Sequence, residues 1–171
     1  GWRLVSYPDN WGHIKGQNRC FESAQGEWVL FVANDVRLQP RCIRGLWNST
    51  VQIFPYAAQI QPAIFTPTGT IDQTGMRWQW PGYGISRKVN QSGFIPIVPS
   101  TCYLMRRGLW KTLGGFDEHL MTSHEDVDMG LRTGPKVVRV NSHATHLGNA
   151  TLRDQPSHNR AAFHRDRVYV I

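Results

Sequence analysis

Two short segments of this 171-residue chain hold the carboxylates best placed to do chemistry, and the first is Asn34-Asp35. It directly follows residues 28–33, an apolar run of six that predicts a strand buried on both faces. Ligands of open α/β sheets bind at the carboxyl ends of the strands. A carboxylate there can hold Mg²⁺ or Mn²⁺, which in turn binds a diphosphate. The alternative is that Asp35 serves only the turn.

The second acidic segment is Glu125-Asp126-Val127-Asp128, just after Ser123. Ser123 and Asp126 fit the S-x-x-[DE] pattern of a capping box, which predicts a helix running to Arg132. One carboxylate could take a proton from an acceptor hydroxyl as a general base, although acids in a first turn also offset the helix dipole. Successive helical side chains point about 100° apart, so the three acids cannot all face one ligand. We expect one base, with another acid capping the helix or binding the acceptor.

Histidines supply a third candidate site. His143 and His146 form an H-x-x-H pattern after the last predicted strand, and His124 would complete a conceivable three-histidine zinc site. No H-E-x-x-H helix supports that zinc site. A single histidine assisting a phosphate-bound cation is therefore the favoured interpretation.

Aromatic residues mark a fourth candidate site, at Trp78, Trp80 and Tyr83. Exposed rings of this kind stack on sugars or on bases. They cover a core edge equally well, and that interpretation is somewhat favoured for any one of them.

Alternating strand and helix patterns must position these residues. Pro62 inside a predicted strand indicates an edge or bulge position, and a helix opening at Pro40 places Ile43, Leu46, Trp47 and Val51 on one face. The predicted strands cover 28–33, 57–65 and 136–140, the predicted helices 13–25 and 107–113, and residues 66–93 form a long excursion from the sheet. This order predicts an α/β class with a mostly parallel central sheet flanked by helices.

Length, cysteine content and charge limit the other classes of protein to which the chain could belong. The length fits one domain, no apolar run approaches the roughly 18 residues of a membrane span, and a start at Gly1 suggests a piece of something longer. Three cysteines without a C-x-x-C pattern indicate free thiols in a reducing compartment. The net charge of +7 comes from scattered basic residues, which favours surface solubility or a small anionic site over a nucleic-acid track.

The order of the motifs resembles family-two glycosyltransferases of the GT-A type, particularly the rhamnosyltransferase-like branch. The resemblance covers nearly the whole chain, and its most specific part is Arg106-Arg107, then Gly114-Gly115-Phe116-Asp117-Glu118, then Glu125-Asp126-Val127-Asp128. The other matching segments are Asn10-x-Gly12, Gln17-Asn18-Arg19, residues 24–31, Asn34-Asp35-Val36 with Pro40, Ile71-Asp72-Gln73-Thr74-Gly75, His146, and the tail 159–171.

The resemblance implies transfer of a hexose or deoxyhexose from a nucleotide-diphosphate donor to an acceptor hydroxyl, with inversion. It implies Asp126 as general base with Glu125 in support, and a divalent cation, Mg²⁺ or Mn²⁺, held by Asp35 and His146. The implied donor-binding residues are Asp35, Asn34, Asn10, Gly12 and Asn18, and the implied acceptor-binding residues are Trp78, Trp80 and His124.

Two departures from the family pattern qualify the expected activity. Ala33 stands where the family's D-x-D motif has its first acid. The two strand–helix units that hold the nucleotide base would precede Gly1, so residues 1–171 correspond to a single domain, the C-terminal two-thirds of a GT-A domain. The resemblance further implies a glycan or lipid-linked acceptor, a cytoplasmic location with peripheral membrane association, and leaves self-association open.

Two other functions compete with glycosyl transfer. A non-catalytic relative could bind carbohydrate or act as a scaffold. A nucleic-acid-binding module would use the +7 charge and the aromatic residues, but the charge is better explained by a diphosphate ligand or an anionic membrane face. We therefore expect no nucleic-acid partner.

Overall fold

The structure of the protein, a computed structural model, describes residues 5–79, 83–120 and 124–148. Within these residues the chain forms four α-helices, one π-helical segment and nine strands. In chain order they are α1 (Gly12–Ser23), β1 (Trp28–Val32), β2 (Val36–Leu38), α2 (Cys42–Asn48), the π-helical segment (Ser49–Ile53), β3 (Gln59–Phe65), β4 (Ile71–Gln73), β5 (Met76–Gln79), β6 (Tyr83–Ser86), β7 (Gly93–Ile95), β8 (Cys102–Arg106), α3 (Arg107–Leu113), α4 (Glu125–Arg132) and β9 (Lys136–His146).

Seven strands form one mixed sheet, while β5 and β6 form a separate hairpin. The order is β1-β8-β3-β9-β2, with β4 beside β3 and β7 beside β9. The predicted α/β class is confirmed, but the sheet is mixed, not mostly parallel: β3 and β9 run parallel, and the other described ladders are antiparallel. The reason is the excursion after β3. From this excursion the chain returns as β8, which runs back between β1 and β3 and is antiparallel to both.

The core lies on both faces of this sheet because its strands alternate. In β8, Tyr103 and Met105 face one layer, and Cys102 and Leu104 face the other. The first layer is rich in aromatic side chains from α1, α3 and the strands, namely Phe21, Phe31, Tyr103, Trp110 and Phe116. The second layer packs α2 against the sheet through Cys42, Leu46, Ile60, Leu104 and Val137. Helices on both faces explain why the central strand β8 is apolar from Cys102 to Met105.

Three predicted elements differ in detail from the structure. The expected bulge at Pro62 exists, as a register shift between Pro62 and Ala63, but β3 is a central strand and not an edge. The helix after Pro40 buries Leu46 while Ile43, Trp47 and Val51 point to solvent. The last strand does not stop at residue 140, since β9 continues to His146 and carries both histidines that the sequence placed in a loop.

The glycine pair after α3 fixes the approach of α1. Gly114 and Gly115 both have left-handed backbone angles, with φ of 77° and 75°. A β-carbon on Gly115 would lie 2.8 Å from Asn18 Oδ1 and 3.0 Å from Trp110 Nε1. Only glycine combines this backbone conformation with that clearance. No helix in the described part of the chain has the length and apolar character needed to cross a bilayer.

Candidate active site

The predicted acidic helix is present and begins with Glu125. His124 occupies its N-cap position with a left-handed φ of 68° and is buried, and its carbonyl oxygen accepts the Asp128 N–H at 2.9 Å. Ser123, the expected capping serine, lies outside the described residues. Burial of His124 beneath the helix start makes direct contact with an acceptor dependent on movement, so its acceptor role stays a prediction.

Glu125 is buried, and neighbours from two other parts of the chain satisfy its carboxylate. The Ser100 hydroxyl donates to Glu125 Oε1 at 2.5 Å, and His13 Nε2 lies 3.1 Å from the same oxygen. Burial alone would raise the pKa of Glu125, but the hydrogen bonds and the His13 charge lower it below its usual value. In return, the hydrogen bond to Glu125 raises the pKa of His13. Each member of the Glu125–His13 pair therefore favours the charged form of the other.

Asp126 has the opposite electrostatic setting. Its side chain is half-buried and its Oδ1 accepts the Val127 N–H at 2.8 Å. Burial and the neighbouring Glu125 charge raise the pKa of Asp126 to about 8, against the opposing effect of backbone N–H groups at Val127 and Ser100. Two adjacent carboxylates with separated pKa values are the arrangement expected of a base and its supporting acid. Asp126 is thus the better proton acceptor.

The residues of the predicted Asp35 site meet just beyond Val32, where β1 ends. A tight turn, with Val36 N–H donating to the Ala33 carbonyl at 3.1 Å, presents Asp35. Asp35 Oδ2 lies 3.2 Å from His146 Nε2, and His146 Nδ1 lies 2.9 Å from Asp72 Oδ2. Asp35 thus lies in a turn, as one interpretation of the sequence expected, and its role as a cation ligand stays a prediction.

The donor atoms of this cluster fit a divalent cation. One carboxylate and one imidazole offer two protein ligands, and a second carboxylate on the far nitrogen of the imidazole is the usual support of a metal-bound histidine. No group of three or more His, Cys, Asp or Glu side chains in residues 5–79, 83–120 and 124–148 forms a ready metal cage. Asp35 and His146 would therefore share a cation with oxygens of the donor.

The conceivable zinc site is not assembled. His143 packs its ring edge-on against Phe65 at 4.9 Å, while His146 joins the two aspartates. His124 lies at the start of α4. The three histidines that the sequence placed in one candidate site thus belong to three different surroundings.

Two consecutive residues connect the acidic helix with the Asp35 cluster. Ser100 bonds Glu125 through its hydroxyl and Asp126 through its backbone N–H. Thr101 accepts the Ala33 N–H at 2.9 Å and donates its hydroxyl to Gln73 Oε1 at 2.9 Å. Ala33 is two residues before Asp35, and Gln73 follows Asp72. Both carboxylate groups consequently lie at the same edge of the sheet.

The aromatic excursion lies against the acidic helix. Met76 of β5, Ile97 and Val127 of α4 form one small buried cluster. Trp78 is exposed and lies two residues beyond Met76, so it projects from the same face of the hairpin. This location supports an acceptor role for Trp78. Trp80, the other predicted acceptor residue, lies outside the described residues.

The predicted donor-binding residues divide into two groups. Asn34 is exposed at the tip of the Asp35 turn, and Asn10 Oδ1 accepts the Gly12 N–H at 3.0 Å where α1 begins. Asn18 is instead buried, and its amide both donates to and accepts from the Phe116 backbone at 3.0 Å. A donor contact would require Asn18 to leave both bonds, so the structure gives it a positioning role between α1 and the glycine turn.

Three site residues were not assigned from the sequence. Asp72 appears there only as part of the Ile71-Asp72-Gln73-Thr74-Gly75 motif, and that motif was the available signal. His13 and Ser100 carry no spacing signal, because each is a lone polar residue distant in sequence from Glu125. Their role emerges only when α1 and the residues before β8 pack beside α4.

Sequence comparisons match this chain to a protein family and to named relatives. Residues 1–114 match the family model described as "Glycosyl transferase family 2". The chain is 27% identical over 170 residues to an N-acetylglucosaminyl-diphospho-decaprenol L-rhamnosyltransferase of Mycobacterium tuberculosis, covering 85% of this chain and 54% of the relative. It is 27% identical over 149 residues to the O-antigen biosynthesis protein RfbC of Myxococcus xanthus, covering 78% of this chain and 11% of that protein. The chain thus spans about half or less of these relatives.

Solved structures show the same fold. The crystal structure of GalNAc-T7 with UDP, GalNAc and Mn²⁺ superposes with a TM-score of 0.65 at 13% identity, covering 80% of this chain and 30% of that one. The crystal structure of residues 1–349 of S. aureus TarS gives a TM-score of 0.54 at 18% identity, covering 81% of this chain and 41% of that one. The expected GT-A architecture is confirmed.

Proposed function

Because this chain belongs to glycosyl transferase family 2, we propose that it carries the catalytic and acceptor-side part of an inverting glycosyltransferase. The donor is a nucleotide-diphosphate-activated hexose or deoxyhexose, and the acceptor is a hydroxyl of a glycan or of a lipid-linked sugar. The observation that carries the proposal is Asp126, a carboxylate with a raised pKa, connected through Ser100 and Thr101 to an Asp35–His146 pair able to bind a cation.

Proton transfer falls to Asp126. The acceptor hydroxyl loses its proton to the Asp126 carboxylate while its oxygen attacks the anomeric carbon. The bond from that carbon to the diphosphate oxygen breaks, and its electron pair leaves with the diphosphate. Attack from the face opposite the leaving group inverts the anomeric centre. A raised pKa strengthens Asp126 as a base, whereas Glu125, ionised beside His13, is the weaker base of the two.

The donor diphosphate is assigned to the Asp35 end of the site. Asp35 and His146 would hold Mg²⁺ or Mn²⁺, which supplies positive charge to the departing diphosphate when bound. Asp72 fixes the imidazole of His146 so that its other nitrogen faces Asp35. Asn34 is exposed at the tip of the Asp35 turn and Asn10 is exposed where α1 begins, and we assign both to the donor.

The relatives narrow the substrate classes. The name of the mycobacterial relative specifies rhamnosyl transfer to a decaprenol-linked sugar, and that of the Myxococcus relative specifies O-antigen synthesis. We extend these to a deoxyhexose donor and a polyprenyl-diphosphate-linked acceptor for this protein, working at the cytoplasmic side of a membrane. Residues 1–171 would then form one unit of a larger domain that includes a nucleotide-binding portion.

A transfer assay tests the proposal directly. The protein is incubated with Mn²⁺, a panel of nucleotide-activated hexoses and deoxyhexoses, and a polyprenyl-diphosphate-linked acceptor, and the product is followed by mass spectrometry. We expect transfer from one donor class, a loss of about 10²–10⁴-fold in Asp126→Asn, and retention of activity in Asp128→Asn. Asp128 is the matched control because it lies on the same helix and pairs with Arg132.

The competing candidate, a non-catalytic carbohydrate-binding relative, makes a different prediction in the same assay. It would bind the acceptor glycan without Mn²⁺, bind no nucleotide sugar, and give no product with any donor. Full activity of Asp126→Asn would instead show that transfer occurs with another base.

A further inference from the structure

The helix that follows Asp35 presents apolar side chains on two opposite sides. The inner side of α2 and the π-helical segment is buried through Cys42, Leu46 and Ser49. The outer side carries Ile43, Trp47 and Val51, which remain 57%, 49% and 59% exposed. We name these three residues the outer apolar stripe. Their spacing of four residues keeps them on one side of the helix.

A surface helix normally turns one apolar side to the core and carries polar residues on the opposite side. The outer side of this helix carries exposed polar residues, Arg44 and Asn48, but also the outer apolar stripe. Single exposed apolar residues need no explanation, but three large ones in one line on one helix do. A surface groove beside the stripe continues this character, since Leu38, Pro40, Ile43 and Trp47 contribute to its lining.

Charge around the stripe identifies the kind of partner. Arg37, Arg41 and Arg44 are exposed along the same stretch. Residues 36–71 contain no Asp or Glu, so nothing in this segment offsets the three positive charges. Tryptophan and aliphatic side chains bordered by arginine are the composition that binds the interface of an anionic membrane. A polar or cationic protein surface would complement the apolar stripe and its bordering arginines poorly.

The stripe also lies near the candidate active site. Three residues of β2 separate Asp35 from the turn that starts α2, a length of roughly 10 Å at the usual rise per strand residue. The Gln39 N–H donates to the His143 carbonyl at 3.1 Å, which anchors this connection to β9, the strand that carries His146. A surface bound to the outer apolar stripe would therefore be close to the cation-binding pair.

We propose that the outer apolar stripe with Arg37, Arg41 and Arg44 docks the protein on an anionic lipid surface. Trp47 and Ile43 enter the interfacial region, while the arginines contact lipid phosphates. The docking holds the active site at the membrane, where a lipid-linked acceptor would be found. This last consequence rests on the proposed function, but the docking itself does not require activity.

Vesicle co-sedimentation without donor, acceptor or metal tests the docking separately from catalysis. The probes are phosphatidylcholine vesicles with and without phosphatidylglycerol. We expect binding to the mixed vesicles, a reduction of about tenfold or more in Ile43→Ser/Trp47→Ser, and about fivefold for each arginine replaced in Arg41→Gln/Arg44→Gln. The matched control is Leu131→Ser, since Leu131 is 58% exposed on α4, which packs through Met129 on the opposite face of the sheet from α2.

Three results would overturn the proposal. Equal binding of the stripe variant and the wild type would remove the stripe from the interface. Equal binding to vesicles with and without phosphatidylglycerol would remove the anionic lipid. Absence of vesicle binding together with a dimer that dissociates in Ile43→Ser/Trp47→Ser, measured by light scattering, would assign the stripe to a second copy of this chain. Unchanged thermal unfolding of the variants shows that they fold.

Discussion

The His13 imidazole lies 3.1 Å from the buried Glu125 carboxylate, although 112 positions separate the two residues in the chain. The contact joins α1 to α4 and decides which of two adjacent carboxylates carries the negative charge. With Glu125 ionised beside His13, the next proton belongs to Asp126. The pH dependence of the reaction should therefore depend on a residue that has no contact with either substrate in the proposed mechanism.

Replacement of His13 by glutamine should move the acidic side of the pH profile upward. The His13 charge lowers the pKa of both Glu125 and Asp126, so its removal makes both carboxylates harder to ionise. In the wild type we expect kcat/KM to increase as the pH rises toward about 8, where Asp126 loses its proton. In His13→Gln we expect this rise to occur about one pH unit higher.

A profile of kcat/KM against pH measures this shift, and Lys15→Gln is its control. Lys15 is an exposed cation on the same helix, so its replacement tests general charge effects. An unshifted profile in His13→Gln, with a uniform loss of rate at all pH values, would show that His13 acts only on structure.

Asp126→Asn should stabilise the folded protein while it removes activity. The pKa of Asp126 is raised on folding, so between its unfolded value near 4 and about 8 the folded state holds a proton that the unfolded state has released. Stability contributed by this site therefore falls as the pH rises through that window. Asparagine does not titrate and avoids the loss. We expect a gain of roughly 1–2 kcal/mol at pH 8 and little change at pH 4.

Urea unfolding of wild type and Asp126→Asn at both pH values checks this prediction. A variant less stable than the wild type at pH 8 would mean that the ionised Asp126 is well satisfied in the fold, and the raised pKa would then be wrong.

Asp72→Asn should weaken cation binding without unfolding the protein. Asp72 is bonded to the His146 nitrogen that faces away from Asp35. Loss of such a supporting carboxylate typically reduces metal affinity, and we expect a reduction of about 10–100-fold. Titration calorimetry with Mn²⁺ and a nucleoside diphosphate measures it. Asp117→Asn is the matched control, because Asp117 pairs with His119 at the surface at 2.8 Å. Equal affinities in both variants would show that the Asp72–His146 bond does not support cation binding.

Lys136→Met should destabilise the helix that carries the acidic residues. Lys136 is buried, and its Nζ donates to the carbonyls of Gly130, Thr133 and Gly134 at 2.7, 3.1 and 3.0 Å. These carbonyls end α4, so the ammonium closes the helix where its dipole is negative. Methionine keeps the apolar stem but leaves the carbonyls unpaired, which should cost about 1.5–3 kcal/mol in urea unfolding. Lys111→Met, at an exposed position, should change stability by less than about 0.5 kcal/mol.

Local patterns predicted the elements whose signals are local. The range 107–113 for α3 matches because a glycine pair ends it, and Asp35 was found because the apolar run before it is continuous. The mixed sheet escaped prediction, since strand direction depends on where the 66–93 excursion returns and no local pattern records that. The exposure of Trp47 also escaped prediction, because large apolar residues lie on both the inner and the outer side of α2 and the periodicity does not select the buried one.

The candidate site likewise contains residues that their type and position identify and residues that only tertiary packing brings in. Carboxylates and a histidine were identified by type and position, and the structure brings Asp35 to His146. Asn18 was assigned to the donor, but its amide bonds the Phe116 backbone, because the left-handed Gly115 brings that backbone against α1. His13 and Ser100 owe their place to tertiary packing alone.

The bonds of Arg132 bear on where this domain can be divided. Its guanidinium donates to the carbonyls of Leu113 and Gly115 at 2.8 and 2.9 Å, which ties α4 to the end of α3. The similarity to the family model stops at residue 114, so that limit falls inside a bonded unit. A polypeptide cut there would keep Asp35, the proposed cation ligand, and lose Asp126, the proposed base. It would also leave the Leu113 carbonyl without its cationic partner, and we therefore regard residue 114 as a limit of sequence similarity and not as a boundary of the folded domain.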